Sequence, residues 1–446
     1  MESLQETAEP TGRIVTFYSY KGGTGRSMAV ANLAWILATN GKRVLLIDWD
    51  LEAPGLHRYL HPFIDDKELT DSPGLIDYFV DFATEARVAA QSANGSDARW
   101  HERYLDLLGY VRSLEWEFEK GSLDFVPAGK QSAAYAVQVN TFDWPEFYTK
   151  LGGGILLESL KRQLRVDYDY ILIDSRTGIS DTSGICTVQM PDDLVVCYTL
   201  NRQSVRGAAA VARSAFEQRR KANGEPGLHI WPVAMRIELA EKERLEEARQ
   251  YSRAEFEAFV MHLPRREREY YWGRAEVLYQ PYFAYDEVLA VFADKRHHPS
   301  SMLASFEAMA SYVTRGEVTE LGPIPDTLRQ STLKLFVAER AQAAQVSPVA
   351  KIYLNYFSGD GLFVEQLVDV LQVLGPDVVL YDRAVLRLGD KVDETLARAR
   401  SEAAVFLVVY GDARVKESRA AGSARELEEI LASGKRIVPV LIQNAR

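Results

Sequence analysis

Tyr18-Ser-Tyr-Lys21-Gly-Gly-Thr-Gly25-Arg-Ser27 decides the fold of this 446-residue chain. A short apolar strand, Ile14 to Tyr18, runs into a glycine-rich turn and then into an apolar helical segment. Gly22, Gly23 and Gly25 allow a tight turn whose N–H groups point inward, and the helix adds the positive end of its dipole. Such a loop cradles phosphate oxygens, with Thr24 inside it and Ser27 offering a hydroxyl to Mg2+. The spacing is that of a P-loop, and it predicts an α/β protein that binds a nucleoside triphosphate.

Two positions depart from the ordinary loop. A lysine, Lys21, stands at its head, and an arginine, Arg26, stands where the ordinary loop has lysine. The head lysine closely resembles that of the deviant Walker A ATPases, the ParA/MinD-like family. In that family the head lysine reaches across a dimer to the partner's nucleotide, so the resemblance implies ATP, Mg2+ and an ATP-dependent homodimer. The planar fork of Arg26 can pair with phosphate oxygens of ATP, but it is bulkier and differently hydrated than an ammonium, which favours nucleotide binding over rapid hydrolysis.

Three acids follow the loop at strand ends. Gly41-Lys-Arg-Val-Leu-Leu-Ile-Asp48-Trp-Asp50 has the continuous apolar run of a buried parallel strand, and Tyr168-Asp-Tyr-Ile-Leu-Ile-Asp174-Ser-Arg-Thr-Gly178 has the form of a Walker B strand. Ligands of open α/β sheets sit outside strand carboxyl ends, where these carboxylates can meet metal-bound and attacking waters. The family resemblance implies that Asp50 orients the hydrolytic water, that Asp48 supports the metal shell and that Asp174 holds Mg2+ through water. Arg236, at the end of a further strand, falls roughly at the family's adenine contact. The family usually follows the Walker B acid with proline and glycine, whereas Ser-Arg-Thr-Gly stands here.

The last hundred residues alternate strands and helices, which predicts a second, smaller parallel sheet covered on both faces. Lys351-Ile-Tyr-Leu-Asn-Tyr-Phe-Ser358-Gly-Asp360, a loop from Asp382 to Asp390, Ala424-Arg-Glu426-Leu427 and Gly434-Lys-Arg-Ile-Val-Pro439 come in an order that resembles a bacterial-type TIR domain, a flavodoxin-like fold. In TIR domains that cleave NAD, a glutamate at this helix start engages the nicotinamide ribose, and Glu426 matches it. A carboxylate there stabilises the oxocarbenium-like charge of glycosidic cleavage. From the opposite loop Tyr356 and Phe357, with Ser358, are expected to wall the NAD pocket, although the two aromatics suit a core position equally well. Family members often carry tryptophan four residues before the glutamate, where this chain has Gly422. Glu426, Glu428 and Glu429 also suit a helix amino terminus without any catalysis.

Composition is that of an ordinary soluble globular chain, 47% hydrophobic and 26% charged, with a formal net charge of −11. That charge argues against broad nucleic-acid affinity; Arg265 to Arg274 interleaves arginines with aromatics and is read as a solvated helix face. The polar, acidic start lacks a signal-peptide pattern and no 18-residue apolar run spans a bilayer, so a cytoplasmic location is expected. Cys186 and Cys197 fall in or beside core strands and are expected to be buried thiols. The expected organisation is a flexible start (1–11), a P-loop ATPase domain (12–320) with an insertion of short helices at 65–101, a linker with a helix (321–347) and the TIR domain (348–446). Two main readings follow. One is an ATP-gated TIR enzyme that hydrolyses NAD in bacterial signalling or antiviral defence. The other is a nucleotide-gated adaptor that assembles with other TIR or effector proteins. A third is a ParA-like positioning protein that binds DNA through Arg265, Arg266 and Arg268.

Overall fold

Two central strands of the first unit, Arg43–Trp49 and Tyr170–Ser175, send alternate side chains into two different cores. In the computed structural model, Val44 and Leu46 of β2 (Arg43–Trp49) pack into one cluster, Leu45 and Ile47 into the other. This period of two, with both faces apolar, is why the strands read as unbroken hydrophobic runs. The structure describes residues 11–91, 100–178, 184–223, 227–239, 242–345, 351–356, 358–371, 379–385, 391–411, 430–431 and 435–442.

The chain divides into two compact units, 1–338 and 339–446. The first has an eight-stranded sheet in the order β3-β4-β2-β5-β1-β6-β7-β8. Its strands are β1 (Arg13–Ser19), β2, β3 (Arg112–Ser113), β4 (Ser122–Val126), β5 (Tyr170–Ser175), β6 (Asp193–Tyr198), β7 (His229–Ile237) and β8 (Glu276–Leu278). All pairs are parallel except β3 with β4. β1 lies between β5 and β6, so the loop leaving it emerges at the middle of the sheet edge.

Helices of ten or more residues are numbered. α1 (Arg26–Thr39) is buried at every position from Met28 to Ala38, and its alanines bring it close to the sheet. Its Trp35 sits among Phe63, Phe292 and Trp116 at ring-centroid distances of 4.7, 4.9 and 5.0 Å. α2 (Leu75–Gln91) and α3 (Gly153–Asp167) cover the opposite face. α4 (Arg202–Asn223), α5 (Lys242–Phe256), α6 (Met302–Val313) and α7 (Asp326–Gln345) follow.

The interval 65–101 corrects the expectation of short helices, because α2 is one helix of 17 residues. Leu75, Ile76, Phe79, Phe82, Ala83 and Ala86 recur at helical spacing and are all buried. The stretch expected as linker also begins inside the first unit. Leu321, Ile324 and Phe336 are buried in its core, and Arg329 donates to the carbonyls of Val291 (3.0 Å) and Asp294 (2.6 Å). Pro323 and Pro325 end the preceding structure without ending the packing. Cys186 and Cys197 are buried, unpaired thiols.

The second unit has a parallel sheet in the order β10-β9-β11-β12, formed by β9 (Ile352–Asn355), β10 (Val379–Leu380), β11 (Val405–Tyr410) and β12 (Arg436–Leu441). α8 (Gly361–Leu371) and α9 (Val392–Glu402) belong to it. Tyr353 packs on Phe406, and the Lys435 amino group donates to the carbonyls of Ser401 (2.8 Å) and Ala403 (2.7 Å) at the end of α9. A cation there offsets the negative end of the helix dipole.

Candidate functional site: the P-loop cleft

The three strand-end acids converge because β5 is flanked by β1 and β2. Asp174 lies opposite Phe17 on one side and Asp48 on the other, and Asp50 follows two residues beyond. The turn after β1 has Gly23 at φ 70° and Gly25 at φ 91°. Both are left-handed conformations that an L-residue adopts only with strain, and a Cβ on Gly23 would meet open space. Conformation, not crowding, demands glycine there. The loop leads into the amino end of α1, and a cleft of about 310 Å3 opens beside it, rimmed also by Asp50, Tyr59, Thr177 and Glu287.

Arg26 is almost fully buried and lies between two acids. Its Nε donates to Asp174 Oδ1, its Nη2 donates to Asp50 Oδ2 at 2.8 Å, and its Nη1 reaches Ser19 Oγ at 3.4 Å. Burial acts to lower the guanidinium pKa, and Asp174 and Asp50 more than reverse that, so it is held firmly charged. Burial raises the Asp174 pKa above the ordinary carboxylate range, with Arg26 and the Ser27 hydroxyl opposing it. Asp48 is raised well above that range by burial, then by Asp174 and Asp50. Its oxygens accept from the backbone N–H groups of Asp50 and Leu56, each at 3.2 Å, so Asp48 shapes the loop that carries Asp50.

Two polar atoms at the cleft stand buried without a hydrogen-bond partner among the described residues, Thr24 Oγ1 and Asp174 Oδ2. Leaving such groups unpaired costs roughly 1–3 kcal/mol each, so they mark a place shaped for a polar ligand. A phosphate chain and a divalent cation fit this donor and acceptor set.

Lys21 and Arg236 approach the loop from either side. The Lys21 amino group donates to Gln203 Oε1 in the first turn of α4. One turn on, Gly207 admits the ring of Tyr20, since a Cβ there would sit 2.3 Å from it. Arg236 takes a left-handed φ of 57° where the β7–β8 register shifts. From there Nη1 donates to the Gly23 carbonyl at 2.9 Å, and the guanidinium lies 4.5 Å over the Tyr279 ring. The structure therefore brings Lys21, Gly22 to Ser27, Asp48, Asp50, Asp174 and Arg236 together. Tyr59, Gln203 and Glu287 were not foreseen; none belongs to a motif, and the fold alone carries them here.

In the second unit, Tyr356 at the end of β9 donates its hydroxyl to Asp382 after β10. Ser358 opens a short turn, Ser358–Asp360, that leads into α8. Phe357, Glu426 and the loop 386–390 lie outside the described residues. The arginine-rich segment forms a helix, Arg265–Trp272, in which Arg265 faces Glu269 at 3.3 Å and Arg268 faces Glu257 at 3.5 Å.

A mostly parallel sheet with a glycine-rich loop at its central strand and acids on the neighbouring strand ends defines a P-loop nucleotide-binding protein. The family model of the CobQ/CobB/MinD/ParA nucleotide binding domain matches residues 15–394, and the chain belongs to that family. A TIR domain model matches residues 352–446. Both claim 352–394, and the division at 338 assigns that stretch to the second unit. A putative septum site-determining protein MinD of Oltmannsiellopsis viridis is 27% identical over 204 residues, 46% of this chain and 50% of its own length. A putative tyrosine-protein kinase EpsB of Ralstonia solanacearum is 49% identical over 55 residues, 12% of this chain and 6% of its own length. The chain thus spans half or less of these curated relatives. Among solved structures, MinD complexed with Mg-ADP from Pyrococcus horikoshii is 18% identical with a TM-score of 0.43, covering 68% of this chain and 96% of that one. The cell division ATPase MinD of Pyrococcus furiosus is 19% identical with a TM-score of 0.41, covering 68% and 99%. Among the described residues, no helix is long and apolar enough to cross a membrane.

Proposed function

We propose that the first unit is an ATP-binding, slowly hydrolysing switch whose ATP-dependent pairing controls the TIR domain, and that the TIR domain hydrolyses NAD in a bacterial signalling or defence response. The observation that carries the reading is the cleft in which a phosphate-binding loop, three buried acids and two unpaired polar atoms meet on one chain with a TIR domain.

Gly22 to Gly25 wrap the phosphates with backbone N–H groups, and Thr24 adds its hydroxyl. Ser27 and, through water, Asp174 would hold Mg2+, whose charge would offset that of the phosphates. No three His, Cys, Asp or Glu side chains among the described residues form a metal cage, which suits an ion that keeps its waters and is shared with phosphates. Asp50 orients the attacking water, held in place by the loop that Asp48 fastens. Arg236, stacked on Tyr279, borders the adenine. Lys21 leaves Gln203 to reach the partner's nucleotide across a homodimer. In the TIR domain, Glu426 stabilises the ribosyl cation while Tyr356, Phe357 and Ser358 wall the pocket.

The test is NAD consumption by the purified full chain, with and without Mg-ATP, beside Glu426→Ala and Lys21→Ala. Consumption that needs Glu426 and rises with ATP is the expected result. NAD left intact under every condition, while ATP still drives self-association, favours the adaptor reading, which the glycine at 422 already supports.

A further inference from the structure

We infer that Arg26 is an internal counter-cation of the acid cluster, bracing Asp50 and Asp174 in place of a metal, so that it sets how far nucleotide binding depends on a divalent ion. This rests on the nucleotide-binding reading of the cleft. Its basis is the forked contact: Nε and Nη2 of one planar group engage Asp174 on β5 and Asp50 in the loop after β2, while Nη1 turns to Ser19 at the end of β1. An ammonium is a point charge on a flexible stem, and the arginine fork is suited to hold two acids at a fixed spacing. Only 5% of the Arg26 side chain is exposed, so its charge is spent on these acids, not on solvent.

The consequence is electrostatic. Asp48, Asp50 and Asp174 together repel a phosphate chain, and in a buried setting that repulsion is weakly screened. With Arg26 between them, the cluster is partly neutralised before any cation arrives. A metal-free nucleotide therefore meets less repulsion than in a cleft without the fork. A metal can reach Asp174 Oδ2, left unpaired among the described residues, without breaking the fork, and competes with Arg26 only if it also engages Asp174 Oδ1 or Asp50 Oδ2.

The experiment measures ATP affinity of the full chain, Arg26→Lys and Arg26→Met, in EDTA and in Mg2+, by displacement of a fluorescent ATP analogue. Wild type should lose no more than about threefold in affinity when the metal is removed. Arg26→Met should lose at least tenfold, and Arg26→Lys should fall between them, because one ammonium cannot bridge both acids. Melting of the same proteins in Mn2+ without nucleotide provides the second readout: the cation should raise the midpoint of the variants more than that of wild type. Equal metal dependence of wild type and variants overturns the inference, as does an equal response to Mn2+. If no protein binds ATP in either medium, the nucleotide reading fails instead, and the Mn2+ melting alone judges the counter-cation. Should Arg26→Met not fold, Arg26→Lys carries both comparisons.

Discussion

The central sheet buries charges at both of its ends and completes them differently. At the amino end, Asp193 is fully buried; its Oδ1 accepts from Trp231 Nε1 at 2.9 Å and its Oδ2 from Arg13 Nε at 3.1 Å. Beside it, Asp192 accepts from the Ile14 backbone N–H at 2.9 Å and from Arg165 Nη2 at 2.5 Å. Each carboxylate oxygen has a donor, while Arg165 Nε is buried without an acceptor among the described residues. At the carboxyl end, β1 and its other neighbour β5 lead to Thr24 and Asp174, where a buried oxygen on each lacks a donor among the described residues. A satisfied cluster fastens strands; an unsatisfied one is shaped for something that arrives.

The largest expected effect separates these roles. Asp193→Ala strands Arg13 and the Trp231 N–H, and breaking a buried ion pair costs about 3–5 kcal/mol. Guanidinium unfolding followed by tryptophan fluorescence reports on the first unit alone, since all seven tryptophans precede residue 339. Stability should fall by that amount, while ATP affinity of the folded protein stays unchanged. A shift in affinity comparable to that of a cleft variant breaks the division between the two ends.

At the cleft the ordering reverses. Asp174→Asn should abolish the metal dependence of ATP binding, lowering Mg-ATP affinity by no more than about threefold, about 0.7 kcal/mol, with a smaller effect on unfolding than Asp193→Ala. The pH dependence follows from the raised pKa values of Asp174 and Asp48, whose first cause is burial. A carboxyl raised in the folded state contributes stability that is full below the unfolded value of about 3.9 and is lost as pH rises through the folded value. Nucleotide-free protein should therefore lose this contribution as pH rises above about 4, whereas Mg-ATP affinity should fall as pH drops and Asp174 takes up a proton. Titration calorimetry across that range checks the second half, and affinity that rises as the pH drops removes Asp174 from the metal site.

The difference between the ends also explains what the sequence discloses. The cleft was legible because its residues are local: glycines, Lys21 and Ser27 lie within one turn, and each acid closes an apolar run. The Arg13–Asp193 pair joins residues 180 apart, and no spacing rule links them. Arg26 was legible as a departure, but its partners at positions 50 and 174 emerged only once β5 lay beside β2. Likewise α2 was hidden by the charged residues among its buried ones, and the packed start of the linker by its two prolines. In the TIR domain the order of motifs was legible, yet Glu426 draws its meaning from neighbours that alternation of strands and helices does not supply.

The smallest effect tests how sharply the closed cluster ends at the surface. Arg315 lies 3.8 Å from Asp193 with 41% of its side chain exposed, and solvent screening holds such a pair to about 0.2–1 kcal/mol. Its backbone also takes φ 55° just after α6, the left-handed position that favours glycine. Arg315→Ala removes the pair and keeps the strain, so it should lower stability slightly. Arg315→Gly removes the pair and relieves a left-handed conformation that costs an L-residue about 1–2 kcal/mol, against a glycine entropy cost of about 0.5–1 kcal/mol, and should come out neutral or more stable than wild type. The unfolding midpoint of Arg315→Ala should therefore lie slightly below that of wild type, and that of Arg315→Gly at or above it. If glycine is as destabilising as alanine and both approach the loss at Asp193→Ala, the cluster extends to the surface and Arg315 is one of its closing members, not a bystander.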